Sequence, residues 1–504
     1  MGGFLPWERL PKEIRLMILE QFLSLSEIEG FSVASAAAVC QEWQPVIEKH
    51  TFRSLHLSFQ DPATRYHICR LPKRSESIRH LNFGIFLREY GYKEVVNACK
   101  YTSRNWTLER ADAIQIEFSL RHMFTILRRI KPNRRKQLEV DLTVESPSDP
   151  IHHFGCDCGQ SMELYDLERN WEWADDVQAR PTPPPWAVRK LFDYIYVPSE
   201  LWSQHPPLKA PAVTKLTLRR QTRRRWPWEG ALEEIIRRFP NLEELHWEYW
   251  PFMIKIGQSA SKGVDLGFFS RMKRVTIFQD FREDIHEAIR LFFPHDDDDV
   301  FNNARSAPPG GSMAFAKASY NLESFAGSFV VDAKDFLPTS VSVWPNLTSL
   351  ALTSGLLVPC PEDDDHDEYI KEINKMFERA AGAALRMPCL QVMELWNGKK
   401  GVAGCFRFRV STRAGYRRVG TISWTGTWEL AFGERIIRCW QEVSWGLDAF
   451  FELGTTKPLK EDSIKSHADA IIQLQLENQV IHPISLAEIQ EETSWNEDSA
   501  YIRG

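Results

Sequence analysis

No stretch of this 504-residue chain is apolar over anything near the ~20 residues that a membrane-spanning helix needs, so no membrane partner is expected. The opening residues, Met1-Gly2-Gly3-Phe4-Leu5-Pro6, have neither the basic nor the apolar stretch of a secretory signal. Pro6 also stands where a myristoylation motif wants Ser or Thr, so lipidation is not expected. Cysteine is sparse: nine residues, an odd number, are scattered along the chain, as in reducing compartments where thiols behave as small hydrophobes. A cytoplasmic or nuclear location is expected. Strong charge of one sign is missing too. A net charge of -6 gives solubility without a global attraction to nucleic acid or membrane. There is no Gly-rich phosphate loop, nucleophile elbow or His-Glu-x-x-His helix. The expectation is a protein that is not an enzyme, with no cofactor and no catalytic residues.

What is present is the composition of a folded protein. The apolar fraction is 43%, and 18 Trp and 30 Phe supply large anchors for a core or an interface. A chain of 504 residues outgrows a single hydrophobic core, so two or more packed units are expected.

Leu10-Pro11-Lys12-Glu13-Ile14 opens a helix, with Pro in the first turn and Glu13 at the positive end of the dipole. The helix should run to about Leu23. Its apolar residues fall into two stripes: Ile14, Met17, Ile18 and Phe22 on one side, Leu16, Leu19 and Leu23 nearly opposite. A surface helix needs one apolar stripe. Two stripes mean either that the helix is sandwiched inside its own protein or that one face is kept for a partner, and the few elements nearby to cover both favour the second. A second helix interrupted near Pro45, a short third one and a strand at Leu55-His56-Leu57 should follow.

The pattern Leu10-Pro11-x-Glu13-Ile14-x-x-x-Ile18-Leu19, followed by Val39-Cys40-x-x-Trp43, resembles an F-box. The continuation to Ile47-Glu48, Phe52 and Leu55-x-Leu57 is similar to F-box-like proteins of filamentous fungi. The stretch Ser24 to Ser35 is longer than the usual linker of that family. The resemblance, over residues 5–57, implies a three-helix module that docks on a Skp1-like adaptor and so on a cullin scaffold. It further implies contacts through Leu10, Pro11, Ile14, Ile18 and Leu19, with Val39 and Trp43 holding the module or extending the contact.

Beyond residue 57, short strand-like segments recur, at Ile78–Phe83, Leu138–Leu142, Val213–Leu218, Leu242–Trp247, Val275–Ile277, Leu322–Phe325, Leu347–Leu352 and Leu390–Leu395. Several are entered by a Pro that ends a preceding helix, as in Phe239-Pro240-Asn241-Leu242 and Trp344-Pro345-Asn346-Leu347. Helix, Pro, strand, repeated, is the logic of a leucine-rich repeat. The period is irregular, with Leu216, Leu245, Val275, Phe325, Leu350 and Met393 as successive equivalent positions. An ordinary α/β domain with a mixed sheet is the competing reading.

The fold class expected is therefore α/β: an N-terminal three-helix F-box-like module, then an irregular leucine-rich-repeat-like solenoid over 58–400. Inserted loops are expected at 145–212, 294–313 and 360–370. A C-terminal antiparallel strand region, from Phe406–Val410, Thr421–Trp424 and Trp428–Leu430, should close the body over 401–460. A helix near 462–480 and, from Glu491 onward, a loosely held acidic tail should complete 461–504. The segment from about 210 to 450 also resembles an uncharacterised domain of fungal F-box-like proteins, a likeness that carries no chemistry.

Three clusters invite chemistry. His152-His153-x-x-Cys156-x-Cys158 lacks the second ligand pair that zinc wants, so no metal is expected. The acidic runs Asp296–Asp299 and Glu362–Glu368 lack the spacing of a calcium loop and read as solvated insertions. The basic run Arg219, Arg220, Arg223, Arg224 and Arg225 follows a strand and has Trp226 and Trp228 beside it. A face paired within the chain, a patch for an acidic or phosphorylated substrate, and a nucleic-acid contact compete there. The acidic insertions favour the first, and no nucleic-acid partner is expected.

These readings combine into the substrate-recognition subunit of a Skp1–cullin–F-box ubiquitin ligase, acting by binding an unknown protein substrate. The alternative is an interaction scaffold outside any ligase, whose N-terminal helices cap the repeat body.

Overall fold

The Leu-x-x-Leu-x-Leu segments become strands, and the strands pair in the order in which they occur. The computed structural model describes residues 7–29, 32–58, 76–90, 106–132, 137–149, 190–192, 195, 197, 208–224, 226, 231–250, 266–281, 309–337, 343–361, 364–413 and 417–502. One sheet of twelve strands runs in sequence order. Its members are β1 (Ser54–Ser58), β2 (His80–Phe86), β3 (Glu139–Glu145), β4 (Lys215–Leu218), β5 (Glu244–Tyr249) and β6 (Arg274–Gln279). They continue as β7 (Ser324–Ser328), β8 (Ser349–Thr353), β9 (Val392–Lys399), β10 (Val402–Arg413), β11 (Arg417–Gly426) and β12 (Phe450–Pro458). Strands β1 to β9 are parallel, β9 to β11 antiparallel, and β12 is parallel to β11. The fold is thus α/β with a mostly parallel sheet.

Register follows the apolar pattern. Leu55, Leu81, Val140, Leu216, Leu245, Val275, Phe325, Leu350 and Met393 are successive partners across nine strands. A second row two residues on runs Phe83, Leu142, Leu218, Trp247, Ile277, Gly327, Leu352 and Leu395, again on one face. A Cβ on Gly327 would lie 2.8 Å from Val331, so the row narrows there to backbone.

Parallel neighbours need crossovers, and helices supply them. These are α3 (Trp106–Leu127), α4 (Glu233–Arg237), α5 (Pro309–Ala318), α6 (Ala333–Phe336) and α7 (His366–Ala384), with α8 (Glu434–Gly446) before β12; α1 (Lys12–Glu29) and α2 (Trp43–Thr51) precede the sheet. Leu120, Phe124, Ile235, Phe315, Phe336, Phe377 and Trp440 from these crossovers share one continuous core with the apolar rows. At roughly 1.5–3 kcal/mol for each fully buried large side chain, that core is the main source of stability.

Local chemistry explains where the elements depart from sequence expectation. Pro309–Ser312, expected in the 294–313 loop, is the first turn of α5. Pro has the φ for that position, and buried Ser312 accepts from Asp332 N at 3.0 Å, a tertiary tie that outweighs the glycines. The acidic run ending at Glu368, expected in the 360–370 loop, starts α7 instead: the Asp365 carboxylate caps Asp367 N and Glu368 N. Helix α1 runs six residues past Leu23, and Pro45 sits in the first turn of α2 rather than breaking it. Trp428–Leu430 is not strand: Trp424 Nε1 donates to Trp428 O, folding the segment back beneath β11. The last strand of the sheet is β12, whose residues are largely exposed and carry no alternation to read.

The C-terminal stretch before Glu491 packs back on the sheet. The C-terminal end forms α9 (His467–Leu474) and α10 (Pro483–Ile502), joined by residues 475–482, which are neither helix nor strand. Ile464, Ala468, Ile471, Leu474, Val480, Ile481 and Ile489 pack with Phe278, Ala326, Phe329, Ala351, Trp396 and Cys405. Those six lie on or beside the face of the sheet opposite the helices. The C-terminal residues cover the second face over β6 to β10.

Candidate functional site

Two places collect residues of the kind that bind partners. The first is the N-terminal module, where spacing along α1 decides what faces outward. Leu19 is fully buried, and Leu23 joins Val33 and Ile47 in a small cluster of its own. The opposite stripe is open: Ile14 is 41% exposed, Met17 61% and Ile18 42%. Phe22 departs from that stripe, because it packs on Trp43 with ring centroids 5.9 Å apart; Trp7 lies 5.6 Å from Trp43 on another side. Of the seven residues expected at an adaptor contact, Pro11, Ile14, Ile18 and Val39 are exposed and Leu10 is half-buried. Leu19 and Trp43 hold the module together from within. Arg15 and Trp7 both engage the Glu42 carboxylate, which fixes α1 against the start of α2.

The second place is the sheet face beneath the C-terminal segment. Alternate positions from β3 to β9 put Asp141, Thr217, His246, Glu248 and Glu394 on this side, with Asp280 just past β6, all of them buried. A buried charge needs partners. Glu394 accepts from Arg407 Nε at 2.7 Å, from the backbone N–H of Glu477 at 2.9 Å and of Asn478 at 3.1 Å, and from Asn478 Nδ2 at 2.7 Å. Glu248 accepts from Arg220 N at 2.9 Å, the His246 ring at 2.7 Å, His482 N at 2.6 Å and the Ser485 hydroxyl at 2.5 Å. Burial acts to raise the Glu248 pKa, but these donors, His246 foremost, hold it below the usual carboxylate range.

The arginine run after β4 belongs to this face. Arg219 pairs with Asp141 at 2.7 Å, and Arg224 makes a two-pronged contact to Asp149 at 2.6 and 2.7 Å, which Tyr90 also reaches at 2.8 Å. Arg220, 1% exposed, gives Nε to Asp280, rests 4.9 Å from the centroid of Trp250, and offers its terminal nitrogens to Glu488 at 2.9 Å and to Glu492 at 2.9 and 3.1 Å. Arg223 lies 3.7 Å from Glu488. Burial opposes charge on Asp280, yet Arg220 and His467 keep its carboxyl well below the usual range. Burial and neighbouring Glu492 push Glu488 the other way, up. The carboxylates that meet these arginines come from β3, from the turn after it, from the end of β6 and from α10. Arg225 and Asp296–Asp299 lie outside the described residues, as do His152, His153, Cys156 and Cys158.

Sequence reasoning singled out the arginines but not Glu248, Asp280 or Glu394. The only signal for them was a carboxylate between two strand-core residues, which usually marks a solvent face. Among the described residues no cluster of His, Cys, Asp or Glu has the form of a metal site, and no helix is long and apolar enough to cross a membrane.

Residues 268–482 match the model of a family of unknown function (DUF6546), a span that begins just before β6 and ends one residue short of α10. No curated protein matches the chain.

Proposed function

We propose that the chain is a client-binding adaptor of the Skp1–cullin–F-box kind, docking through α1 and presenting its sheet body to a protein substrate. The carrying observation is the outward stripe of Ile14, Met17 and Ile18 on a helix that buries Leu19 and Leu23 on its opposite side. Aliphatic side chains at i, i+3 and i+4 form the face that a partner helix or groove takes up. We read the sheet, with every strand beside its successor, as a leucine-rich-repeat-like solenoid. Its contribution to ubiquitin transfer would be proximity, which needs no reacting side chain.

The small core of the module supports docking over capping. Leu23, Val33 and Ile47 form a cluster separate from the main core among the described residues, whereas a cap would merge with the core it covers. The experiment is capture of a purified Skp1-type adaptor by the full chain. Ile14→Asp with Ile18→Asp abolishes capture while leaving the melting temperature within a few degrees. Undiminished capture by that double variant rejects the reading.

A further inference from the structure

The C-terminal segment travels across the sheet against strand order. Ala470 of α9 abuts β9 so closely that a Cβ on Gly398 would lie 2.4 Å from its Cβ. The carbonyls of Leu474 and Gln475 then accept from Arg407 of β10, and Glu477 and Asn478 donate to Glu394 of β9. Asn478 also meets Ser349 of β8, and Gln479 O accepts from Thr276 of β6 at 3.4 Å. His482 and Ser485 reach Glu248 of β5. Finally Glu488 and Glu492 close on Arg220, just past β4, and Gln221 donates to Glu488 at 2.6 Å.

The two halves of this path are held by different physics. Segment 464–481 is buried mainly through Ile464, Ala468, Ile471, Leu474, Val480 and Ile481 against aromatic and small residues of the sheet. Of the described side chains of α10, Ile489 and the partly buried Leu486 add apolar contact, and Ser485, Glu488 and Glu492 engage the sheet through polar contacts. The receiving end is built independently of it. Asp280 clamps Arg220 from behind at Nε and Trp250 covers one flat side, so the two-nitrogen edge points to where carboxylates sit. A guanidinium fixed in this way reads paired carboxylates with little further loss of freedom.

We propose that α10 is a built-in stand-in for an acidic helix of a partner protein, and that the Arg220, Gln221, Arg223 and Glu248 site exchanges one for the other. The partner segment carries two carboxylates one helical turn apart, as Glu488 and Glu492 are, with a hydroxyl or amide donor one turn earlier for Glu248. This rests on the reading of the chain as a client-binding adaptor, and it identifies the client by chemistry. Until such a helix arrives, α10 keeps the site shut at an effective concentration in the millimolar range, the order expected of a short tether.

The test uses the full chain and a fluorescein-labelled peptide of residues 480–502. Binding in trans is weak to the native protein and at least tenfold tighter to Glu488→Gln with Glu492→Gln, in which the tethered helix has lost its grip. Adding Arg220→Lys, which keeps a charge beside Asp280 but removes the fork, reverses the gain at least fivefold. Equal affinity for the native chain and the double variant overturns the proposal. A second measurement needs no variant: in native hydrogen exchange the amides of 484–492 open at least a hundredfold more readily than those of α9. Equal protection of the two helices overturns the proposal as well. Adaptor capture through α1 is scored on the same proteins. Capture with no peptide effect rejects exchange at Arg220 alone, and a peptide effect without capture rejects the adaptor reading.

Discussion

Glu394 shows how much one side chain can carry when it is buried among donors. Its two oxygens accept four hydrogen bonds, three of them from the segment that crosses above it. Removing the carboxylate leaves two backbone N–H groups and the Asn478 amide without their acceptor and takes from Arg407 its charged partner, leaving it the carbonyls of Leu474 and Gln475. Glu394→Ala is expected to lower unfolding free energy by about 3–5 kcal/mol, the range for breaking one side of a buried pair, and Glu394→Gln by much less. Urea denaturation of both variants checks this, and equal losses would deny the carboxylate its special part. Gly398 makes the steric counterpart. A valine there has no room beside Ala470, so Gly398→Val should lift α9, loosen residues 467–481 in hydrogen exchange and leave β2 to β4 as protected as before.

At the scale of elements, the docking proposed for α1 would separate stability from binding along one helix. Leu19 is fully buried and Ile14 is not. Leu19→Ala is therefore expected to cost ~2–5 kcal/mol within the N-terminal module, and Ile14→Ser about 0.5 kcal/mol or less. Adaptor capture reverses the order: Ile14→Ser weakens it without unfolding, and Leu19→Ala weakens it only as far as the module melts. The crossing segment adds a pH dependence. Burial pushes the His482 imidazole down to about 4; His246 and Arg219 act in the same direction, against Glu248 and Glu139. In the folded state His482 binds fewer protons than in the open state between the ordinary 6.5 and about 4, so stability rises with pH across that window. It is fully present above 6.5 and is lost as pH falls. The ring is only partly buried, and screening reduces the effect to about 1 kcal/mol. Asp280, with its lowered pKa, begins to contribute loss only at still lower pH. Urea midpoints at pH 7.5 and 5 should differ in the native chain and converge in His482→Asn.

The same elements show what the sequence makes legible. Leu216, Leu245, Val275, Phe325, Leu350 and Met393, picked out by pattern alone, are the residues that pair across six strands. Each is apolar because it shares a core with residues of the neighbouring crossovers, so the information is contained in a few nearby residues. Thr217, His246, Glu248 and Glu394 alternate with them and read as a wet face. What buries them is a segment that for Glu248 lies more than two hundred residues further on, and short-range periodicity has no access to a contact of that span. The apolar residues Val480, Ile481 and Ile489 were the available hint that the stretch before the acidic end packs on the sheet.

For the whole molecule, the two ends of the chain differ in what their removal does, and truncation tells the roles apart. The main core draws on β1 to β11 and the crossover helices, while the N-terminal cluster of Leu23, Val33 and Ile47 is self-contained among the described residues. A chain starting at Arg53 keeps β1 and is expected to stay soluble and monomeric, with a single unfolding transition. Aggregation of that truncation would favour the capping scaffold, because it would mean that the helices cover apolar surface of the sheet. At the other end, stopping after His482 removes α10 only: Arg220 keeps Asp280, Glu248 keeps Arg220 N and His246, and the apolar contacts of 464–481 survive. Stopping before Leu459 uncovers Phe278, Ala326, Ala351, Trp396 and Cys405 together and strands Glu394 with Arg407 alone, so that chain should aggregate. Light scattering on the three truncations orders them: the first and second remain monomeric, the third does not. If the chain ending at His482 aggregates as readily as the one ending before Leu459, α10 is part of the core, and a face that exchanges it for another helix cannot exist.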